Sequence, residues 1–405
     1  MHFPWLSWPA GRDKKLSPVH DRIKELGGVM GAYNGWERAN WFADAGQKRV
    51  YAYSWGRQNW FENSAAEHRA VRENIGMYDM SSFGKIRVEG PDAEAYMNYI
   101  SGAQMSVPAG KIVYTQFLNK RGGIESDVTV TRLSETVYLV VTPAVTRPAD
   151  QTWMRRHIGD FRVVLTDVTV GEAVLAVMGP NSRALLAAVS PNDFSNENNP
   201  FGTAQDIELG MGIARAHRVS YVGELGWELY IPADMAGHAF ETLWEAGQGL
   251  GVKLCGMHMM DSCRIEKAYR HFGHDISCED HVLEAGLGFA VKTDKPNFVG
   301  RDAVLAKRDA GLSKRLLQFK LKDPSALLYH HEAILRDGEF VGYTSSGNYG
   351  HTLGAAIGMG YVPCKGQSAA ETLAGTYEIE VAGRRFSATA SLAPMYDPKS
   401  ERTKA

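Results

Sequence analysis

Cysteine is scarce in this chain: four stand among 405 residues, and no two form a C-x-x-C pair. Cys255, Cys263, Cys278 and Cys364 therefore give neither the framework of a small disulfide-rich domain nor a zinc-finger spacing, and a reducing, cytoplasmic setting is expected. An excess of either charge is missing too. Lys and Arg number 44 against 46 Asp and Glu, a formal charge of −2, so neither nucleic acid nor an acidic membrane surface is expected as a partner. No apolar run approaches the ~20 residues of a spanning helix. The opening stretch Met1–Pro9 lacks the basic and apolar regions of a secretory signal. No Gly-x-Gly-x-x-Gly follows a first strand, so a dinucleotide fingerprint is excluded there.

What is present is ample length for two or three domains. The most informative stretch is Tyr221-Val-Gly-Glu-Leu-Gly-Trp-Glu-Leu-Tyr-Ile-Pro232, which predicts strand, tight turn, strand. Trp227, Leu229 and Ile231 alternate with Glu228 and Tyr230, so Glu228 faces away from the large apolar side chains. A carboxylate on a rigid strand beside aromatics suits a flat heterocycle with adjacent N–H donors, because its two oxygens accept two parallel hydrogen bonds. A solvent-exposed Glu228 on an ordinary hairpin fits the same pattern.

A weak duplication runs through the chain. Lys85–Pro91 and Ala173–Pro180 each read as a strand closed by Gly-Pro and followed by a helical pattern. The spacing is too long for a solenoid, so two related lobes are expected. Met235–Gly249 and Met257–Tyr269 read as helices, the second with Met260, Arg264 and Lys267 on one side. Beyond about Ala310 the pattern turns to strands: Leu316–Lys322, a hairpin around Asp337-Gly338, and Tyr377–Val381. The boundaries expected are an aromatic-rich extension at 1–60, a two-lobed region at 61–309 and a β-domain at 310–405. The extension holds Trp5, Trp8, Trp36, Trp41, Tyr51, Trp55 and Trp60 among its rings, which read mostly as packing and alternatively as a docking surface.

The segment Tyr221–Pro232 is similar to a signature of the folate-dependent aminomethyltransferases, the glycine cleavage T-protein and its relatives. Met77–Ile86, Gly122–Val128, Asp261–Lys267, Leu283–Leu287 and Thr344–Gly347 resemble that family in the same order. The likeness covers nearly the whole chain and is nearest to the folate-binding half of dimethylglycine and sarcosine dehydrogenases. It implies an α+β fold, two related lobes around a central folate cavity plus a C-terminal antiparallel β-barrel-like domain. It also implies site residues. Asp127 matches the aspartate at the reactive end of the folate, where a carboxylate stabilises a cationic amine and relays its proton. Tyr114 and Tyr221 match tyrosines lining the pocket, Glu228 the carboxylate that reads the pterin edge, and Arg264 a polar folate contact. Ser126 departs from the T-protein, which usually carries a second acid there. His271-Phe-Gly-His-Asp-Ile-Ser-Cys-Glu-Asp-His281 and His330-His331-Glu332 have ligand-type side chains without a zinc spacing and correspond to loops, so no metal is expected. Thr344-Ser-Ser-Gly347 lacks a nucleophile-elbow frame and corresponds to a cavity-closing loop.

The function so implied is tetrahydrofolate-dependent transfer of a one-carbon unit from an N-methylated small molecule, yielding 5,10-methylene-tetrahydrofolate. A separate flavoprotein oxidase would supply the oxidised methyl group and dock on the aromatic segment. Two alternatives stay open: intact methyl transfer from a sulfonium or aryl methyl ether to give 5-methyl-tetrahydrofolate, and a folate-binding subunit without turnover.

Overall fold

The computed structural model describes residues 6, 7 and 9–405; Trp5 and Trp8 of the aromatic segment lie outside them. Two large sheets, a barrel and a two-stranded sheet of Gly28–Tyr33 and Trp36–Phe42 carry the described residues. The first sheet is antiparallel, in the spatial order Ile112–Leu118, Ile124–Ser134, Val137–Thr142, Gly84–Glu89, Val164–Asp167. The second runs Ala204–Leu209, Gly212–His217, Gly226–Pro232, Glu172–Met178, Gly76–Asp79, Lys253–Leu254, with the last strand joining in parallel. The C-terminal region is a closed six-stranded barrel of Lys314–Leu321, Ala355–Pro363, Glu339–Gly350, Ala333–Arg336, Tyr377–Val381 and Arg384–Ser391. The fold is thus the expected α+β arrangement with a C-terminal barrel. Among the described residues no helix is long and apolar enough to cross a membrane.

The duplication has a steric basis. The strand Gly84–Glu89 and the helix Ala93–Ile100 are joined through Gly90, and Glu172–Met178 and Ser182–Val189 through Gly179. Both glycines hold positive φ, 146° and 126°. A Cβ on Gly90 would run into the Arg162 carbonyl, and one on Gly179 into the Asn74 carbonyl. Only glycine meets both demands at once.

The strand Gly226–Pro232 keeps its predicted alternation but buries both faces. Trp227, Leu229 and Ile231 join a core with Leu185 and Leu186 of one helix and Phe240 and Leu243 of another. Tyr230, on the opposite face, joins a cluster with Val174 and Ala176 of its own sheet and Leu139 and Val141 of the other. This second cluster spans both sheets, so the faces carrying Glu228 and Val141 are turned toward each other.

Three expectations need correction. Tyr221–Leu225 is not a strand; the partners of Gly226–Pro232 are Gly212–His217 and Glu172–Met178. The segment is held instead by side chains: Glu224 is buried against Arg72 and Arg402, and Gly223 turns at φ 82° against Lys267. The helix from Met257 ends at Glu266, short of Tyr269, because Ala268 adopts φ 51°. Thr344–Gly347 is not a loop but part of the barrel strand Glu339–Gly350, irregular between Thr344 and Ser346.

Within the aromatic segment Trp36, Trp41, Phe42 and Trp60 are buried, and Val19, Ile23, Ala39 and Phe42 belong to the core of the second sheet. Trp60 stacks on His258, at 5.2 Å between centroids. Trp55, by contrast, is 72% exposed.

Candidate functional site

In the first sheet the turn at Gly122-Gly123 sets the register. Gly122 has φ 80°, and a Cβ on Gly123 would strike the Cys278 carbonyl. The two strands leaving this turn pair Gln116 with Asp127 and Tyr114 with Thr129. Directly paired residues share a face, so Tyr114, Gln116 and Asp127 lie together. Gln116 Nε2 donates to Asp127 Oδ1 at 2.8 Å. Burial pushes the Asp127 carboxyl up to about 6, against hydrogen bonds from Gln116 and Tyr114 and the nearby charge of Arg270, all of which favour the carboxylate. Burial and the adjacent carboxylate push the Tyr114 phenol well above its ordinary range. Tyr114 also stacks on Phe289, with centroids 6.2 Å apart.

Ser126 takes the other face. It donates to Asp150 at 2.7 Å, and Thr142 donates to the same carboxylate. The chain thus carries an acid near the Ser126 position, supplied by the helix Arg147–Arg156 rather than by the strand. Asp150 in turn helps to raise Asp127.

Tyr221, Arg264 and Arg270 sit at one edge of this group. Tyr221 donates to the Arg270 carbonyl at 2.8 Å and stacks on Tyr269. Its phenol is raised by burial, with Arg264 opposing and the Asp261, Asp275 and Asp127 charges adding to the rise. Arg264 is 3% exposed. Its Nε donates to Asp261 at 2.7 Å, Nη1 to Asp275 at 2.8 Å and Nη2 to Ser346 at 3.1 Å. It therefore ties helix Met257–Glu266, the loop after it and a barrel strand into one corner. Burial would raise Asp261, but Arg264 and His271 outweigh it and hold the carboxyl near 2. Arg270 is aimed by the Leu283–Leu287 motif, its Nε donating to the Ala285 carbonyl at 3.0 Å. Gly286 leaves room for the guanidinium, since a Cβ there would stand 2.6 Å from Nη2.

Glu228 lies on the second sheet, paired with Ala176 and with His217. It is 8% exposed, not in solvent. Tyr230 donates to its Oε2 at 3.0 Å. Burial pushes its carboxyl up to about 7, while Tyr230 and the Lys85 charge act to lower it. Tyr78 also pairs with Ala176, from the other side. Its hydroxyl is buried without a hydrogen-bond partner, as is Gln116 Oε1 beside Asp127. Orphaned polar atoms of this kind cost stability unless a ligand or water meets them.

The structure therefore brings Asp127, Tyr114, Tyr221 and Arg264 into one electrostatically linked group and sets Glu228 on the opposing sheet. Gln116, Tyr78, Tyr230, Lys85 and Arg270 were missed from the sequence. Counting back from Gly122-Gly123 would have placed Gln116 opposite Asp127; nothing local marked the others. His271, His274, His330 and His331 form a chain of ring contacts 4.4, 6.2 and 4.5 Å apart. Among the described residues no three metal-ligating side chains converge as a metal site.

Residues 19–295 match the GCVT N-terminal domain, and residues 314–397 match the glycine cleavage T-protein C-terminal barrel domain. The chain belongs to this aminomethyltransferase family. It is 42% identical over 403 residues to the 4-methylaminobutanoate oxidase (formaldehyde-forming) of Paenarthrobacter nicotinovorans, covering 99% of this chain and 48% of that protein. It is 33% identical to the mitochondrial sarcosine dehydrogenase of Homo sapiens, over 98% of this chain and 48% of that protein. The aminomethyltransferase of Halothermothrix orenii is 35% identical over 79% of this chain and 88% of its own length. This chain spans about half the length of the first two relatives. The fold matches that of the glycine cleavage system aminomethyltransferase T from Bartonella henselae, with a TM-score of 0.81 at 23% identity, covering 95% of this chain and 98% of that one.

Proposed function

We propose that the chain is a tetrahydrofolate-dependent one-carbon transferase. It takes the carbon of an N-methylated amine of the dimethylglycine or sarcosine type and yields 5,10-methylene-tetrahydrofolate, beside a flavoprotein that oxidises the methyl group. Family membership supports the folate chemistry, and the amine-oxidising relatives support the donor class. The observation that carries the reading is a pair of carboxyls on opposing sheets, Glu228 buried and Asp127 partly buried, each raised toward neutrality and each beside an orphaned polar atom. Raised carboxyls in such a setting are functional-site markers.

When bound, tetrahydrofolate supplies the nitrogens that accept the one-carbon unit. Glu228, as a carboxylate, accepts two adjacent N–H groups of the heterocycle edge, and Tyr78 and Tyr230 border it. Asp127 stabilises the cationic amine and takes up a proton on the oxygen not engaged by Gln116. A group poised near 6 serves this role at neutral pH, ionised and still basic enough to be protonated. Tyr114 and Tyr221 offer ring faces to the ligand. Arg264 fixes the corner and offers the ligand the second N–H of Nη2. Exposed Trp55 and Val50 are the surface proposed for the flavoprotein.

Anaerobic calorimetry with tetrahydrofolate tests the reading. Saturable micromolar binding that is lost in Glu228→Ala supports it, and absence of binding by the wild type overturns it. Mass analysis of the folate product after turnover with sarcosine and a sarcosine-oxidising flavoprotein separates methylene transfer from intact methyl transfer.

A further inference from the structure

Lys85 is fully buried, yet among the described residues no carboxylate forms an ion pair with it; its Nζ donates to the Ser81 carbonyl at 3.0 Å. Such a lysine is costly, because an ammonium removed from water wants a counter-charge. Its place on the sheet explains what it faces. Lys85 pairs with Val141 and so shares that residue's face. Val141 belongs with Ala176 and Tyr230 to the cluster between the sheets, and Ala176 pairs with Glu228. Lys85 and Glu228 thus look toward each other from opposite lobes.

We infer that Lys85 is a positioning residue for the ligand site: its ammonium favours the ionised form of Glu228 across the lobe interface, in which both carboxylate oxygens accept N–H groups. The inference rests on Glu228 being the heterocycle-reading carboxylate. The other groups facing the pair do not supply this charge. Tyr78 and Tyr230 are phenols raised well above their range, and His217 is driven by burial well below its own and stays neutral. Arg215 is engaged by Glu172 at 2.9 Å. Around Lys85, Glu172, Asp79 and Asp167 favour its charge and Arg147 opposes it. Burial, the largest influence, lowers Lys85 to about 8, so it is charged at neutral pH.

Without that charge Glu228 holds its proton to higher pH, and a protonated carboxyl accepts poorly. The test is tetrahydrofolate affinity measured by anaerobic calorimetry from pH 6 to 9 for the wild type, Lys85→Met, Lys85→Gln and Lys85→Arg. The expected result is weakening of about fivefold at pH 7 in the Met and Gln variants, with the midpoint of the pH dependence about one unit higher and affinity regained toward pH 9. Lys85→Arg keeps the wild-type midpoint. The Gln variant retains an N–H for Ser81, so a Met variant that does not fold leaves the measurement intact. A wild-type midpoint in a folded neutral variant overturns the inference alone. Absence of binding by the wild type overturns the folate reading and this inference with it.

Discussion

Asp127 is held in a charge state that burial disfavours. Its folded value, near 6, lies above the ordinary 3.8, so the fold prefers the protonated form. Stability from this group is full below the unfolded value and is lost as pH rises through 6. At pH 8 the ionised carboxylate therefore costs up to about 3 kcal/mol, at 1.36 kcal/mol per unit. Asp127→Asn removes that cost and the proton acceptor together. Denaturant unfolding should find the Asn variant more stable at pH 8 and no different near pH 4, with turnover down on the order of a hundredfold or more. Equal stability at both pH values would mean that Asp127 is not desolvated. Gln116 acts on the same proton. Its N–H favours the carboxylate, so Gln116→Leu should push the acid limb of the kcat/KM profile to higher pH, and an unmoved limb would remove Gln116 from the mechanism.

At the scale of elements, two glycines that look alike in the sequence separate by what a methyl group would meet. Gly179 has φ 126° and the Asn74 carbonyl in the way; backbone cannot yield cheaply, so Gly179→Ala should lower stability by about 2 kcal/mol or more. Gly286 has φ 69° and meets the end of the Arg270 side chain, which can move. Gly286→Ala should cost about 1 kcal/mol but displace the guanidinium whose charge acts on Asp127 and Tyr114. Thermal melts and folate affinity separate the two: the first variant loses stability chiefly, the second affinity chiefly. The strand-Gly-Pro-helix units were legible because both period and punctuation are local, as were Tyr377–Val381 and the Asp337-Gly338 hairpin. Tyr221–Leu225 was misread because ion pairs from residues 72 and 402, remote in sequence, dictate its path. The likeness to the family named Asp127 and Glu228; it did not name Lys85 or Tyr78, whose positions follow from register and from the meeting of two sheets.

At the scale of the molecule, one buried charge network joins the parts. Arg72 pairs with Glu224 at 3.1 Å and with Glu266 at 3.0 Å, and Arg402 reaches Glu224 at 2.6 Å. Glu266 accepts the backbone N–H groups of Thr352 and Leu353 at the end of a barrel strand, and His68 lies 3.3 Å from it. Helix Phe61–Glu73, helix Met257–Glu266, the barrel and the C-terminal tail thus share one electrostatic junction. Its two titrating members have opposite signs. For Glu266 burial acts upward, but His68, Arg72 and the backbone donors hold it near 2 against an ordinary 4.5. A depressed carboxyl stabilises fully above its unfolded value and loses that contribution as pH falls toward 2. For His68 burial acts downward, but Cys263 and Glu266 raise it to about 9 from 6.5. A raised imidazole stabilises fully below 6.5 and loses that contribution as pH climbs through 9. The junction is therefore strongest between about pH 4.5 and 6.5 and weakens on both sides. Glu266→Gln strands Arg72 and His68 and should cost about 3 kcal/mol or more at pH 6. His68→Gln should remove the histidine's alkaline loss while leaving the acid one, so that its melting temperature falls less than that of the wild type from pH 6.5 to 9. If the wild type and the variant change alike across that range, the histidine is neutral in the folded protein, and Glu266 is held in the junction by Arg72 and the backbone donors.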